Sequence, residues 1–382
     1  NTLIPYAPTV TACGHSSIYT GSVPSINGIT GNFWWDNEQM RSVYCTEDKT
    51  VNTVGSSSSL GKMSPYNLQT TTIADELRLA TNFKSKVVGI AIKDRGAILP
   101  AGHSANAAYW YDNTVGGWIT STYYMNELPK WVSNFNAQKL VDKYYKDGWN
   151  LLYPANTYVQ STTDEKPYES KPFGTSFPYN LDKFIGKDFS KIASLPMGNS
   201  LTTEFAKAAI ASEQLGADDI TDFLAVSFSS PDYIGHTFGP NSIESEDGFL
   251  RLDKDLGSLF EYLDKKVGKG QYTAFLSADH GVAHTPEFMI ENKLPGGRVF
   301  MGDVVKLLNK TLQEKHGIKT IIVSDDNYQL HLNHQALDSA KVDVKELTNW
   351  IVDYMKAEPG IDRVFAIADL NIIPLNSTIR TM

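Results

Sequence analysis

Two aspartate and histidine pairs in the second half of the sequence could bind metal ions. Asp232 and His236 are four residues apart in Asp-Tyr-Ile-Gly-His, and Asp279 and His280 are adjacent in Asp-His-Gly. Carboxylate and imidazole groups together suit Zn²⁺, and two such pairs that converge could hold two ions. For either pair alone, a turn-forming acid and a hydrogen-bonded loop histidine are the alternative. The occurrence of both pairs shortly after apolar runs favours the metal site.

A threonine near the start of the sequence is a candidate nucleophile. Thr11 lies in the run Pro-Thr-Val-Thr-Ala-Cys-Gly-His, residues 8–15, at a predicted loop-to-helix turn, and a glycine-rich stretch that ends at Asn32 follows. A metal ion can lower the pKa of a hydroxyl group, and a helix N-terminus favours a phosphate. The alternative is that Thr11 merely caps the helix. The metal motifs further along the chain favour the nucleophile.

Two basic residues follow the apolar run that ends at Ile92. Lys93 and Arg95 alternate along the chain, so we expect their side chains to leave the strand on the same side. Two cations beside a two-metal site could neutralise both non-bridging oxygens of a terminal phosphate dianion, the charge that separates a phosphate monoester from a diester. The alternative for such a pair is a solvated strand end.

The elements that must position these residues alternate between strand-like and helix-like patterns, which predicts an α/β fold with helices on both faces of a sheet. Strands are predicted at 86–92, 223–228 and 272–276. Helices are predicted at 72–81, 136–146, 202–215 and 244–267. The last two predicted strands end shortly before the two metal-binding pairs, at the strand ends where ligands gather in open α/β sheets.

Two stretches outside this pattern predict additions to the main domain. We assign residues 1–298 to the central part of a catalytic α/β domain, within which 99–179, rich in Tyr, Trp, Asn, Pro and Gly, is predicted to be a loop-rich insertion over the site. Residues 299–369 are predicted to form a small α+β subdomain, with the order helix, strand, strand, helix (342–355) and strand (363–367).

Composition excludes several classes of partner. The 382 residues carry a net charge of −9, which argues against broad binding of nucleic acid or of an anionic membrane. Apolar runs stay well short of the roughly 20 residues that a membrane span needs. Cys13 and Cys45 are too few for a disulfide framework or a structural zinc cluster. The chain opens on Asn1 without a signal-like segment, and we expect it to be the middle of a longer chain.

Taken together, the motifs resemble those of the alkaline phosphatase superfamily. The resemblance rests on Pro-Thr-x-Thr, Thr-Gly, Gly-Ile and Gly-Asn near the start, with Asp-x-x-x-His and Asp-His-Gly downstream, and it spans Pro8 to about Pro295. It is strongest to the branch of monomeric alkaline phosphatases with a threonine nucleophile, which are related to the nucleotide pyrophosphatase/phosphodiesterases. It implies an alkaline-phosphatase-like sandwich in which a mostly parallel central sheet has helices on both faces.

The resemblance also implies an activity and its residues. The activity is hydrolysis of small phosphate monoesters through a phosphothreonine, with Thr11 as nucleophile and with Asn32, Lys93 and Arg95 holding the phosphoryl oxygens. Two zinc ions are implied, with ligands assigned by the resemblance: Asp232 and His236 to one ion, and Thr11, Asp279 and His280 to the other. The protein would be a monomer, periplasmic or secreted, with no nucleic-acid or membrane partner.

Two alternatives stay open at this point. A phosphodiesterase or nucleotide pyrophosphatase of the same superfamily would have an apolar pocket where Lys93 and Arg95 lie; a sulfatase is disfavoured because its Cys/Ser-x-Pro-x-Arg motif is absent. A non-catalytic fragment is the second alternative. The family's remaining zinc ligands, an aspartate and a histidine, would lie before Asn1 and beyond Met382, so we expect the chain to lack one ligand of each ion.

Overall fold

The computed structural model describes residues 9–168, 172–370 and 372, which divide into two compact units. The larger unit comprises Thr9–Asn32 and Cys45–Thr285, and it contains every candidate site residue. The smaller unit comprises Phe33–Tyr44 and the described residues from Pro286 onward. The division at 285 and 286 lies before the boundary expected at 298, and a short segment from the first part of the chain joins the smaller unit.

The regular elements of the described residues are as follows. The strands are β1 (Phe33–Asp36), β2 (Arg41–Tyr44), β3 (Thr53–Val54), β4 (Val87–Ala91), β5 (Ala107–Asp112), β6 (Gly117–Ser121), β7 (Phe223–Ser227), β8 (Ile322–Ser324) and β9 (His331–Leu332). The α-helices are α1 (Thr11–Thr20), α2 (Pro24–Asn27), α3 (Ile73–Ala80), α4 (Asp94–Ala101), α5 (Lys130–Asn136), α6 (Leu140–Asp147), α7 (Met197–Ser212), α8 (Ser230–Phe238), α9 (Ile243–Leu263), α10 (Pro286–Glu291), α11 (Met301–His316), α12 (His334–Ser339) and α13 (Val344–Lys356).

Five strands form the central sheet of the larger unit, in the order β3-β6-β5-β4-β7. Strand β4 pairs in parallel with β5 and β7, whereas β5 with β6 and β6 with β3 are antiparallel. All five residues of β4 are buried, as expected for an internal strand covered on both faces. The predicted α/β class is confirmed, with a mixed sheet whose parallel part precedes the candidate site.

Two hydrophobic cores cover the two faces of the sheet. Val88 and Ile90 of β4 face a core that α7 completes, while Val87 and Ala91 face a second core with α4. Gly89 allows α4 to approach the strand closely, because a Cβ at this position would lie 2.1 Å from the carbonyl oxygen of Ala97. Helix α4 is therefore held against the strand that leads into Lys93.

The predicted loop-rich insertion at 99–179 is wrong for its first part, because β5 and β6 lie within it. Both strands are buried along their full length. Tyr109 and Tyr111 face one core and Trp110 faces the other. The aromatic residues that suggested loops therefore alternate between the two faces of an internal strand. After α6 the chain is irregular up to α7, apart from short 3₁₀ turns in the described part.

The predicted strand at 272–276 is also wrong. Within the described residues this segment joins no ladder, and β7 pairs with β4 only. Phe275 and Leu276 are 60% and 79% exposed. An apolar run becomes a strand only where another strand satisfies its backbone groups, and the segment that leads to Asp279 has no such partner among the described residues.

Most helix predictions are confirmed to within a few residues, with α3, α7 and α9 at or near their predicted bounds. The helix predicted at 136–146 is instead two helices, α5 and α6, separated by Lys139 in the left-handed backbone region. In the smaller unit, helices α11, α12 and α13 pack with β8 and β9 around their own core. The strand predicted at 363–367 is absent from this described part of the unit.

Candidate active site

Thr11 is the first residue of α1 and is buried. The preceding residue, Val10, has no polar side chain with which to cap the helix. Asn32 supplies the cap from a distance, because its Oδ1 accepts the N–H of Ala12 at 2.9 Å. The hydroxyl of Thr11 instead faces Nζ of Lys93 at 3.3 Å and Nε2 of His280 at 3.5 Å.

Lys93 brings a cation to the hydroxyl of Thr11. It lies in extended backbone just before α4, and its side chain is buried. Its ammonium group donates to Oδ2 of Asp232 and lies 4.8 Å from the centre of the Tyr233 ring. Burial lowers the pKa of Lys93, the carboxylate of Asp232 opposes this shift, and the charge of Arg95 adds to it.

The expectation that Lys93 and Arg95 leave one strand on the same side is wrong. Strand β4 ends at Ala91, and Arg95 is the second residue of α4. Its guanidinium lies 3.9 Å from Asp94, a carboxylate that also accepts the hydroxyl of Thr46.

Asp232 and His236 lie one turn apart on α8, the helix that follows β7. Nε2 of His236 is 3.4 Å from Oδ1 of Asp232. Burial alone would raise the pKa of Asp232, but the hydrogen bond from His236 and the charge of Lys93 hold it well below the usual range. The hydrogen bond to Asp232 raises the pKa of His236 in turn.

Asp279 and His280 follow the unpaired segment and reach the same place. Nε2 of His280 lies 3.5 Å from Oδ2 of Asp279 and 3.8 Å from Oδ1 of Asp232. His280 therefore lies between the two carboxylates, and the structure brings the two predicted pairs together around Thr11.

The donors present fit a divalent metal by type and by pairing. Oδ2 of Asp232 is occupied by Lys93, which leaves Oδ1 facing the two imidazoles. Carboxylate oxygen and imidazole nitrogen are donor types that suit zinc. Among residues 9–168, 172–370 and 372, however, no three His, Cys, Asp or Glu side chains form a cluster with metal-site geometry.

Sequence reasoning gave no role to three residues that contact this site: Gly14 and His15 on α1, and Tyr233 on α8. Nε2 of His15 lies 3.8 Å from Oδ2 of Asp279, and the ring of Tyr233 contacts the ammonium group of Lys93. The signal for His15 is its spacing of four residues from Thr11 on a predicted helix, which puts both on one helix face.

The two cysteines are buried free thiols, and burial raises the pKa of Cys13 to about 12.

No helix in the part of the chain that the structure describes has the length and apolarity to cross a bilayer.

Comparison with known proteins adds an independent finding. A model of the family described as type I phosphodiesterase / nucleotide pyrophosphatase matches residues 1–370. The alkaline phosphatase PhoV of Synechococcus elongatus is 53% identical over 386 residues, which cover 100% of this chain and 69% of PhoV.

Two further proteins are similar over nearly the whole chain. A Myroides odoratus protein named calcium-transporting ATPase is 51% identical over 377 residues, which cover 97% of this chain and 68% of that protein. The crystal structure of wild-type alkaline phosphatase PafA is 47% identical, with a TM-score of 0.96, over 100% of this chain and 74% of the PafA chain. The likeness to PafA confirms the alkaline-phosphatase-like α/β class that the motifs predicted.

Proposed function

This chain belongs to the type I phosphodiesterase / nucleotide pyrophosphatase family, and from that premise we propose that it hydrolyses phosphate monoesters. The observation that carries the proposal is the ammonium group of Lys93, which lies beside the hydroxyl of Thr11 and against the carboxylate of Asp232. A fixed cation next to a nucleophile favours a substrate whose reacting group is a dianion. Two similar proteins, PhoV and PafA, are named alkaline phosphatases, which supports the proposal.

In this proposal Thr11 is the nucleophile. Its Oγ1 forms a bond to phosphorus while the bond from phosphorus to the ester oxygen breaks in line, and the proton lost by Thr11 balances the one gained by the leaving alcohol. A water molecule then attacks the phosphothreonine, releases inorganic phosphate and restores the hydroxyl. The N-terminus of α1, where Thr11 lies, favours the negative phosphoryl group.

The remaining side chains position charge. Asn32 uses its carbonyl oxygen to cap α1, so its amide NH₂ is the group that would donate to a phosphoryl oxygen. Lys93 and Arg95 would bind the oxygens of a terminal phosphate, which carries two negative charges in a monoester. The phosphate of a diester carries only one. For this reason the monoesterase is favoured over a diesterase of the same family.

We propose two zinc ions as cofactors, held by this chain's own residues together with further ligands: Asp232 and His236 for one ion, and Asp279, His280 and Thr11 for the other. When bound, such ions lower the pKa of a hydroxyl nucleophile and stabilise charge on the leaving oxygen. The fit rests on the donor types and on the 3.4–3.8 Å separations within and between the pairs. The resemblance further supports a monomer that is periplasmic or secreted.

The test compares the rate of p-nitrophenyl phosphate hydrolysis with that of bis(p-nitrophenyl) phosphate, before and after chelation and zinc return. We expect faster hydrolysis of the monoester and an activity that chelation removes and zinc restores. ATP is a useful third substrate because it ends in a phosphate dianion, and one relative is named a calcium-transporting ATPase. Faster hydrolysis of the diester would establish the phosphodiesterase instead, and no turnover of any ester would favour the non-catalytic alternative.

A further inference from the structure

One face of α1 lies along the segment that carries Asp279 and His280. Three side chains spaced four residues apart share this face, as the helical repeat requires. Their contacts, from the start of the helix, are Thr11 with His280 (Oγ1 to Nε2, 3.5 Å), His15 with Asp279 (Nε2 to Oδ2, 3.8 Å) and Tyr19 with Phe275 (ring centres 6.3 Å apart). The helix that presents the nucleophile therefore also lies along the segment that brings in the second carboxylate.

The helix backbone itself approaches this segment at Gly14. A Cβ at position 14 would lie 2.0 Å from the carbonyl oxygen of Asp279 and 2.6 Å from its carbonyl carbon. These atoms belong to backbone, which cannot move aside as a flexible side chain could. Gly14 therefore sets the separation between α1 and Asp279, and His15 is placed directly beside the carboxylate.

Among the described residues, polar partners of His15 lie near its Nε2 only. The side chain is buried, and Nδ1 has no hydrogen-bond partner in the described residues. Nε2 lies 3.3 Å from Oγ of Ser227, the last residue of β7, and faces the carboxylate of Asp279. A proton on Nε2 has Oγ of Ser227 within hydrogen-bond reach and points toward the carboxylate of Asp279, whereas Nδ1 has no partner among the described residues.

We propose that His15 is a positioning residue, which orients the carboxylate of Asp279 against the end of β7 so that Asp279 can serve as a ligand of the second metal ion. This inference rests on the proposed function, since it concerns the same site. Its physical basis is that groups which hold a metal ligand in orientation contribute to metal affinity without touching the metal. Segment 271–285 joins no ladder in the described structure, and α1 contacts it at Gly14, His15 and Tyr19.

The experiment measures zinc affinity in the purified protein by competition with a chelator. His15→Leu removes the N–H donor and keeps an apolar side chain, whereas His15→Gln can return an N–H near the position of Nε2. We expect His15→Leu to lower the affinity for one of the two zinc ions by about 10- to 100-fold and to leave the affinity for the other unchanged. His15→Gln should recover most of the lost affinity. Amide hydrogen exchange in 272–284 should be faster in His15→Leu than in His15→Gln.

His331→Leu in the smaller unit is the matched control, because His331 is a half-buried histidine outside the site, and it should leave both zinc affinities unchanged. Equal zinc affinities in the wild type and His15→Leu would overturn the proposal, as would equal losses in the Leu and Gln variants. The two proposals fail in different ways. Zinc binding that depends on His15 without any monoester hydrolysis refutes the function alone, and full hydrolysis with no effect of His15 on zinc refutes the positioning role alone.

Discussion

Asp232 and Asp279 reach the same site from two differently constructed regions. Asp232 lies on α8 directly after β7, a strand that pairs with β4 along five residues. Asp279 follows a segment that joins no ladder in the described structure and rests against Gly14 and His15. The backbone before Asp232 is fixed by ladder hydrogen bonds, whereas the contacts of the Asp279 segment in the described structure include those with α1 and with the side chains of Phe223 and Asn241. The part of the site that contains Asp232, here called the sheet-supported half, and the part that contains Asp279, the helix-supported half, should therefore respond unequally to mutation.

Replacement of Thr11, where the two halves meet, should have the largest effect. Thr11→Ala removes the oxygen that faces both Lys93 and His280, so we expect the rate of monoester hydrolysis to fall by more than about a thousandfold. Steady-state kinetics with p-nitrophenyl phosphate measure this loss. Thr9→Ala, at an exposed residue before the helix, is the control and should keep the wild-type rate. Normal turnover by Thr11→Ala would remove Thr11 from the mechanism.

Gly14→Ala should break the helix-supported half alone. The added methyl group meets the backbone of Asp279, and overpacking of this kind costs about 1–3 kcal/mol of stability. We expect a loss of zinc from the Asp279 side and at least about a tenfold loss of activity. Gly257→Ala in α9 is the matched control, because nothing lies within 4 Å of its Cβ position; denaturant unfolding should show it unchanged or about 0.5–1 kcal/mol more stable. Similar behaviour of the two variants would contradict the asymmetry.

Removal of Lys93 and Arg95 tests the sheet-supported half. Charge-assisted hydrogen bonds contribute about 1.5–3 kcal/mol each, so Lys93→Ala with Arg95→Ala should lower the ratio of monoester to diester rates by roughly tenfold or more. We expect zinc at the Asp279 side to be retained. The ratio of kcat/KM for the two esters is the measurement. Equal losses on both substrates would mean that the two cations support the local structure rather than select the substrate.

The smallest effect is expected at the far end of α4, the helix that begins directly after Lys93. His103 follows this helix and pairs with Asp75 at 3.4 Å, and the hydrogen bond with Asp75 raises the pKa of His103. A raised pKa contributes stability that is complete below pH 6.5 and is lost as the pH rises through the folded value. Because His103 is partly exposed, solvent screening keeps the change below about 1 kcal/mol. Urea unfolding between pH 6 and 9 should show it, and His103→Gln should abolish it.

The sequence was most informative where one element alone determines the geometry. Asp232 and His236 were predicted as a pair from their motif, and the structure places them one turn apart on α8, a helix that the sequence analysis did not predict. The apolar runs of β4 and β7 likewise indicated strands. By contrast, the runs at 223–228 and 272–276 are both apolar and of strand length, and among the described residues only the first has a strand beside it. Which run finds a partner is a property of the whole fold, so local pattern could not separate them.

Two features of the site depend on contacts between distant parts of the chain. The contact of His15 with Asp279 joins the first helix to a segment near the end of the larger unit, and no spacing rule connects them. Arg95 illustrates the opposite error, because alternation along a strand was assumed where the strand had already ended and a helix had begun. The resemblance to a family supplied the roles of Asp279 and Arg95, but it supplied neither the contact of Asp279 with His15 nor the placement of Arg95.

The cap that Asn32 places on α1 limits how residue 32 could change during evolution. Its oxygen completes the first turn of the helix that presents Thr11, and loss of such a cap costs about 0.5–2 kcal/mol. A lineage that adapted position 32 to another substrate would have to keep a hydrogen-bond acceptor there or accept a frayed helix beneath its nucleophile. Aspartate would keep the acceptor but would place a negative charge against the phosphate. Drift at this position is therefore confined to a few side chains by the helix as well as by the substrate.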